Sequence, residues 1–231
     1  MIKQSYYYSY NRLENYFNEA NDAIKPKEIK KDEIIELRTI GTGSVLRSVL
    51  YYHIEYEKLI VIKKNNLFDK ENEKLLEREI KNYEEIRHPF IPKFYGTIQD
   101  DKLSYPVIEF INGETLSNTD FTKFSNIEIY EIILQMLLVF KYLHSNHFIY
   151  RDLKPNNVMI DKNKTFILID FDRMVKDDYI NSENTITLDF NSSYAAPEIN
   201  SNEFTNKCDI YSIGKMIDLI MKKTKSFETY K

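Results

Sequence analysis

The sequence changes its period partway along, and that change restricts the fold more than any other feature. From Glu33 to Phe110 it runs in short β-type segments, IIELRTI, SVLRSVLYYHIEY, KLIVIKK, FYGTI and SYPVIEF, broken by one helical stretch, KENEKLLEREIKNYEEI. After Gly113 it becomes mainly helical, beginning with SNIEIYEIILQMLLVFKYLHS, where Ser125 and Glu128 have the spacing of a capping box. The pattern predicts an α+β chain in two lobes: a small antiparallel sheet with one main helix over residues 33–110, then a mainly α-helical part over 111–231. Residues 1–32, rich in Tyr, Asn and Lys, read as an N-terminal extension with a short helix before Pro26. The run Tyr6, Tyr7, Tyr8 reads as an aromatic patch against the body rather than a modification site.

Charge narrows the partners. The 231 residues carry 32 Lys and Arg against 36 Asp and Glu, mixed along the chain, so neither a nucleic-acid surface nor a polybasic membrane anchor is expected. The longest apolar run, IILQMLLVF at 132–140, is too short to span a bilayer. A single cysteine, Cys208, and a start that lacks an apolar leader core point to a reducing, cytoplasmic setting.

The chemistry concentrates in YRDLKPNNVMI, 150–160, and in IDFDRM, 169–174. The first offers a proton acceptor in Asp152, a cation two residues on in Lys154 and an amide in Asn157. Phosphoryl transfer needs that combination, because its transition state spreads negative charge that cations and metal ions must neutralise while a hydroxyl is oriented. The second sets Asp170 and Asp172 on either side of Phe171. Taken alone, it fits a metal-binding hand, an ordinary strand end or an altered copy of a known motif.

These residues resemble the eukaryotic protein kinases of the Ser/Thr type. Tyr150-Arg151-Asp152-Leu153-Lys154-Pro155-Asn156-Asn157 is similar to the family's His-Arg-Asp-Leu-Lys-Pro-x-Asn catalytic loop. The resemblance makes Asp152 the catalytic base, Lys154 the cation on the transferred phosphate, and Asn157 and Asp170 the metal ligands. Lys63 in LIVIKK becomes the lysine that holds the ATP phosphates, and Glu79 in EREI its helix partner. Nucleotide contacts then fall to Gly41, Gly43, Val61, Glu109, Ile111 and Met159, with Met159 as floor of the adenine pocket. Ala196-Pro197-Glu198 matches the end of the activation segment, and Asp209 with Gly214 the helix beneath the catalytic loop. The resemblance covers residues 34–221 and implies ATP and Mg2+ as cofactors and a protein Ser or Thr hydroxyl as substrate.

Departures from the family pattern bear on activity. Leu46 replaces the third glycine of the phosphate loop, Ser48 replaces the usual valine with Val49 one place late, and Val61 replaces a small residue. Tyr150 stands for the histidine and Asn191 for a threonine. Asp172 takes the glycine's place in Asp-Phe-Gly, where it is expected to keep the turn by adopting a left-handed backbone. Phe171 is expected to pack with Tyr150, Tyr83 and Phe94 in a column linking the lobes. The helices that normally follow are missing at Lys231, so the expectation is a fragment or a truncated relative, with Ile213, Met216, Ile217 and Ile220 losing cover and inviting a partner. The alternative to an active kinase is a pseudokinase or truncated kinase serving as a regulatory module. Arg151 implies control by a phosphate on Ser182, Thr185, Thr187, Ser192 or Ser193.

Overall fold

The computed structural model describes residues 27–42, 46–65, 70–100, 103–177, 192–200 and 204–224. Its first half is a six-stranded sheet built from β1 (Lys27–Ile29), β2 (Ile34–Thr42), β3 (Leu46–His53), β4 (Lys58–Asn65), β5 (Phe94–Asp100) and β6 (Leu103–Glu109), in the order β1-β5-β6-β4-β3-β2. Helix α1 (Lys70–Glu85) lies between β4 and β5 in sequence. Every pairing is antiparallel except that of β1, which runs parallel to β5.

The period of two along β4 sorts its side chains to opposite faces. Ile60 and Ile62 enter a core with Val49, Tyr51, Val107 and Leu76 of α1, while Val61 and Lys63 face the other way. Val49 therefore packs into this core, and Ser48, paired with Lys63 and Gly41, shares their side of the sheet.

The second half holds α2 (Asn126–Ser145) and α3 (Lys207–Lys223), a three-stranded sheet of β7 (Gly113–Thr115), β9 (Val158–Asp161) and β10 (Phe166–Leu168), and the pair β8 (Phe148–Ile149) with β11 (Val175–Lys176). The capping box at the start of α2 is present: Ser125 Oγ accepts the Glu128 N–H, and Glu128 Oε2 accepts the Ser125 N–H at 2.8 Å. Ile129, Ile132, Met136, Val139, Phe140 and Leu143 form the buried stripe of α2. Each such side chain contributes about 1.5–3 kcal/mol on burial. Gln135 sits inside that stripe without penalty because its Oε1 accepts the Phe166 N–H at 2.8 Å. Among the described residues no helix is long and apolar enough to cross a membrane.

Within the extension before residue 33, Lys27–Ile29 forms an edge strand of the small lobe's sheet. One expectation is corrected here. On α3 the stripe Ile213, Met216 and Ile220 is buried and joins the same core as α2, with Ile217 packed against it. Residues three and four apart share a helix face, and that face turns inward toward α2. Among the described residues of these two helices the exposed large apolar side chains are instead Ile210 and Tyr211 at the start of α3 and Ile127, Tyr130, Leu134, Leu137 and Leu138 on α2.

Candidate active site

The site is assembled by two short irregular segments, with one helix and one strand above them. The loop 150–157 follows β8 and closes in a 3-10 turn, Pro155–Asn157, before β9. The Ile169 N–H donates to the Asn157 carbonyl at 3.0 Å, which ties the segment after β10 to that loop. From above, α1 supplies Glu79, and β4 supplies Lys63.

Lys63 Nζ donates to Glu79 Oε1 and, at 2.9 Å, to Asp170 Oδ1. Glu79 is fully buried, and its Oε1 also accepts the Phe171 N–H at 3.3 Å. Burial pushes the Glu79 carboxyl up, against the pull of Lys63. Burial alone would lower Lys63, but Asp170 and Glu79 hold its pKa well above the usual lysine range. Burial likewise works to raise Asp170, and Lys63, Lys154 and Arg173 outweigh it, so this carboxylate stays ionised below its ordinary range.

Asp152 is buried, and burial raises its carboxyl above the ordinary value while Lys154 and Arg173 oppose the rise. Oδ2 of this carboxylate gathers the contacts: Lys154 Nζ at 2.8 Å, Asn157 Nδ2 at 2.9 Å and Arg173 Nε at 3.7 Å. Asn157 Nδ2 also donates to the Asp152 carbonyl at 2.9 Å, which leaves its amide oxygen as the acceptor it can offer elsewhere. An amide oxygen from Asn157 and a carboxylate from Asp170 form a hard-oxygen donor set that fits magnesium rather than a softer metal.

The turn IDFDRM is held at almost every residue. Tyr150 donates its hydroxyl to the Ile169 carbonyl at 2.5 Å, Asn82 Nδ2 donates to the carbonyls of Phe171 at 2.7 Å and Met174 at 3.0 Å, and Arg151 Nε donates to that of Arg173 at 2.8 Å. Phe171 contacts Tyr83 and Tyr150 edge-on, with ring centroids 5.2 and 5.6 Å apart. Tyr83 stacks in turn on Phe94 at 5.7 Å, so Phe94 joins the column one ring removed from Phe171. The left-handed backbone lies at Asp170, with φ 70°, and not at Asp172, which corrects the expectation for the latter. Asp172 is buried, and burial with the nearby Asp170 and Glu79 pushes its carboxyl up to about 8.

Of the other expected nucleotide contacts, Gly41 is exposed in β2 opposite Ser48, and Val61 is buried and pairs directly with Ile108 of β6. Glu109 ends β6, where its N–H donates to the Lys93 carbonyl at 2.9 Å and its Oε2 accepts the Lys93 N–H at 3.1 Å. Ile111 is buried, and Met159 is half-buried in β9 opposite Thr115. Leu46 begins β3. Gly43, Asn191, Ser182, Thr185, Thr187 and Tyr6 to Tyr8 lie outside the described residues.

Sequence reasoning overlooked Asn82 and Arg173. Asn82 stands three residues after Glu79, hence on the same face of α1, and that spacing was the available signal. Arg173 lies next to a motif already singled out, but only the folded turn brings it to Asp152. His88 behaves as a packing residue: burial lowers it to about 4, and its Nδ1 accepts the Phe90 N–H at 3.2 Å.

The protein kinase domain family model matches residues 34–231. The chain is similar to an Aurora kinase of Debaryomyces hansenii, 34% identical over 159 residues that make up 68% of this chain and 39% of that protein. It is also similar to cAMP-dependent protein kinase type 3 of Saccharomyces cerevisiae, 32% identical over 189 residues, 78% of this chain and 46% of that one. Calcium-dependent protein kinase 5 of Plasmodium falciparum is 28% identical over 182 residues, 78% and 32% of the two chains. The chain thus spans less than half the length of these relatives. A family model that runs from β2 through α3, across the segments where these polar groups meet, shows that the chain belongs to the protein kinase domain family.

Proposed function

We propose that the chain transfers the γ-phosphoryl group of ATP to a serine or threonine hydroxyl of a protein, with Asp152 as the catalytic base. The observation that carries this reading is the asymmetric hold on Asp152. Lys154, Asn157 and Arg173 all engage Oδ2, so Oδ1 is the oxygen left to accept the proton of an incoming hydroxyl. Lys63, kept charged and fixed by Glu79, meets the phosphates of the nucleotide. Lys154 lies beside the base and neutralises charge on the moving phosphoryl group, which favours Ser/Thr chemistry. Asn157 and Asp170 would hold magnesium, which when bound neutralises the charge that builds on the phosphate oxygens. The test compares phosphate transfer from magnesium-ATP to generic protein substrates by the chain and by its Asp152→Asn variant. Equal incorporation by the two would overturn the assignment.

A second reading is favoured by Asp172. A carboxyl in the place of a glycine, buried beside Asp170, adds a potential negative charge where nucleotide phosphates would lie. On that reading the chain is a regulatory module that binds partners without turnover. A melting temperature unmoved by magnesium-ATP would support it, and a clear rise would count against it.

Control by phosphorylation is the natural role for Arg151, which is buried, lies 5.0 Å from the Phe204 ring and keeps a positive charge although burial and the nearby Arg78 lower it to about 10. Ser192 and Ser193 are the described candidates for its phosphorylated partner.

A further inference from the structure

The strand β1 lies outside the stretch matched by the family model, which begins at residue 34, yet it is built into the small lobe. Lys27, Glu28 and Ile29 pair in parallel with Gly96, Thr97 and Ile98. Gly96 has φ 134°, and a Cβ on it would stand 1.9 Å from the Lys27 carbonyl oxygen and 2.7 Å from the Lys27 nitrogen. No other residue type admits so close a backbone, so the edge of β5 is shaped for an added strand.

Ile29 plugs that strand into the core. It is 1% exposed and shares a cluster with Ile98, Tyr95, Ile62 and Leu76, the last lying three residues before Glu79 on α1. The flanks are tied more lightly. Lys27 reaches Glu55 at 3.2 Å and Glu33 at 3.9 Å across the Tyr56 ring, Lys31 reaches Asp100 at 2.5 Å, and the Ile54 N–H donates to the Glu33 carbonyl at 2.9 Å. Ion pairs this exposed add little, so the hold rests on Ile29 and a ladder of three residues. A strand so short sits near the balance between its contacts and the entropy of ordering it.

We propose that the outer edge of β5 is a strand-docking site, filled by the chain's own Lys27–Ile29, and that its occupancy sets helix α1 and with it the Lys63–Glu79 pair. The first half stands on the pairing itself; the second rests on the kinase reading given above. Docking adds a buried aliphatic group to the core behind Leu76, while release opens that core on the side of α1 that carries Glu79. The segment before the family domain then acts on the site without touching it.

The test uses the full chain with Ile29→Asp or Glu28→Pro, the first removing the plug and the second placing a proline in the middle of the paired strand, neither altering β5. Hydrogen exchange is read at Leu76 to Glu79 and at Thr97 and Ile98, together with affinity for magnesium-ATP. A cooperative melt with exchange about tenfold faster at both places, and ATP affinity weakened, is expected. A synthetic peptide of residues 25–33, added in excess, restores both readouts, and the same peptide with Ile29→Asp does not. Unchanged exchange at α1 in both variants, or faster exchange that the native peptide fails to restore, overturns the proposal. Restored exchange in a chain whose unaltered form binds no ATP upholds the docking site and removes the kinase reading instead.

Discussion

Asp209 accepts the backbone N–H of Arg151 at 2.8 Å through one carboxylate oxygen and that of Tyr150 at 2.9 Å through the other. His144 Nε2 lies 2.8 Å from the second oxygen. Arg151 has φ 70°, a conformation that costs a residue with a side chain about 1–2 kcal/mol. The buried carboxylate of α3 stabilises that turn and thereby aims Asp152, the next residue. Replacing it with alanine strands two buried N–H groups, at about 3 kcal/mol or more. Asp209→Ala is expected to lower the denaturant midpoint and to abolish turnover, with Asp209→Asn intermediate in both. Wild-type stability in the alanine variant would show that the turn holds itself.

Asn82 holds the other side of the site. Its amide donates to the carbonyls of Phe171 and Met174 from inside the core, so Asn82→Leu leaves two buried acceptors unmet at about 2 kcal/mol. The turn between them carries Asp170, and turnover should fall together with the melting temperature. A variant that loses stability while keeping full turnover would detach Asn82 from the site.

The fold class could be read from the chain, and so could most of the polar residues that the fold brings together, because they are packed into contiguous loops. Asp152, Lys154 and Asn157 come within six positions, and Asp170 follows a short apolar run. The facing of β4 was not legible, since Ile60, Val61 and Ile62 are apolar in succession and only the folded sheet sends Ile60 and Ile62 to one core and Val61 to the other. Strand β1 was not, because Lys-Glu-Ile is too short to show a period and its partner lies more than sixty residues away. The backbone of the Asp170 turn also escaped, because glycine's place in a motif suggests where freedom is needed, whereas hydrogen bonds from Tyr150, Asn82 and Arg151 decide which residue takes the left-handed angle. The inward face of α3 was misjudged for a related reason: an apolar stripe says that a helix needs cover, and only packing against α2 says what covers it.

Arg173 is the cation whose role was hidden. Its Nε lies 3.7 Å from Asp152 Oδ2, and its charge lowers the Asp152 carboxyl against the effect of burial. Removing it lets burial dominate further, so Asp152, the proposed base, needs a higher pH to ionise. In Arg173→Ala the acidic limb of the kcat/KM profile should move to higher pH, and Arg173→Lys should return it toward the wild-type position. An unmoved limb, or one displaced to lower pH, would show that Arg173 acts elsewhere.

Asp172 gives the clearest dependence of stability on pH. Its ordinary carboxyl pKa is 3.8, and in the folded chain it stands at about 8, raised by burial and by Asp170 and Glu79. Below the unfolded value both states carry the proton, and the group neither favours nor opposes folding. As pH climbs between the two values, the unfolded chain releases the proton while the folded chain keeps it, so stability is lost progressively until the folded carboxyl ionises as well. Asp172→Asn removes this cost without changing the shape of the side chain. Measured without magnesium, the variant should match wild type near pH 3 and become more stable as pH rises to 8, where the difference reaches about 5 kcal/mol. A constant difference across that range would mean that the carboxyl is ionised in the folded chain, and its charge would then have to be balanced by Lys63 and Arg173.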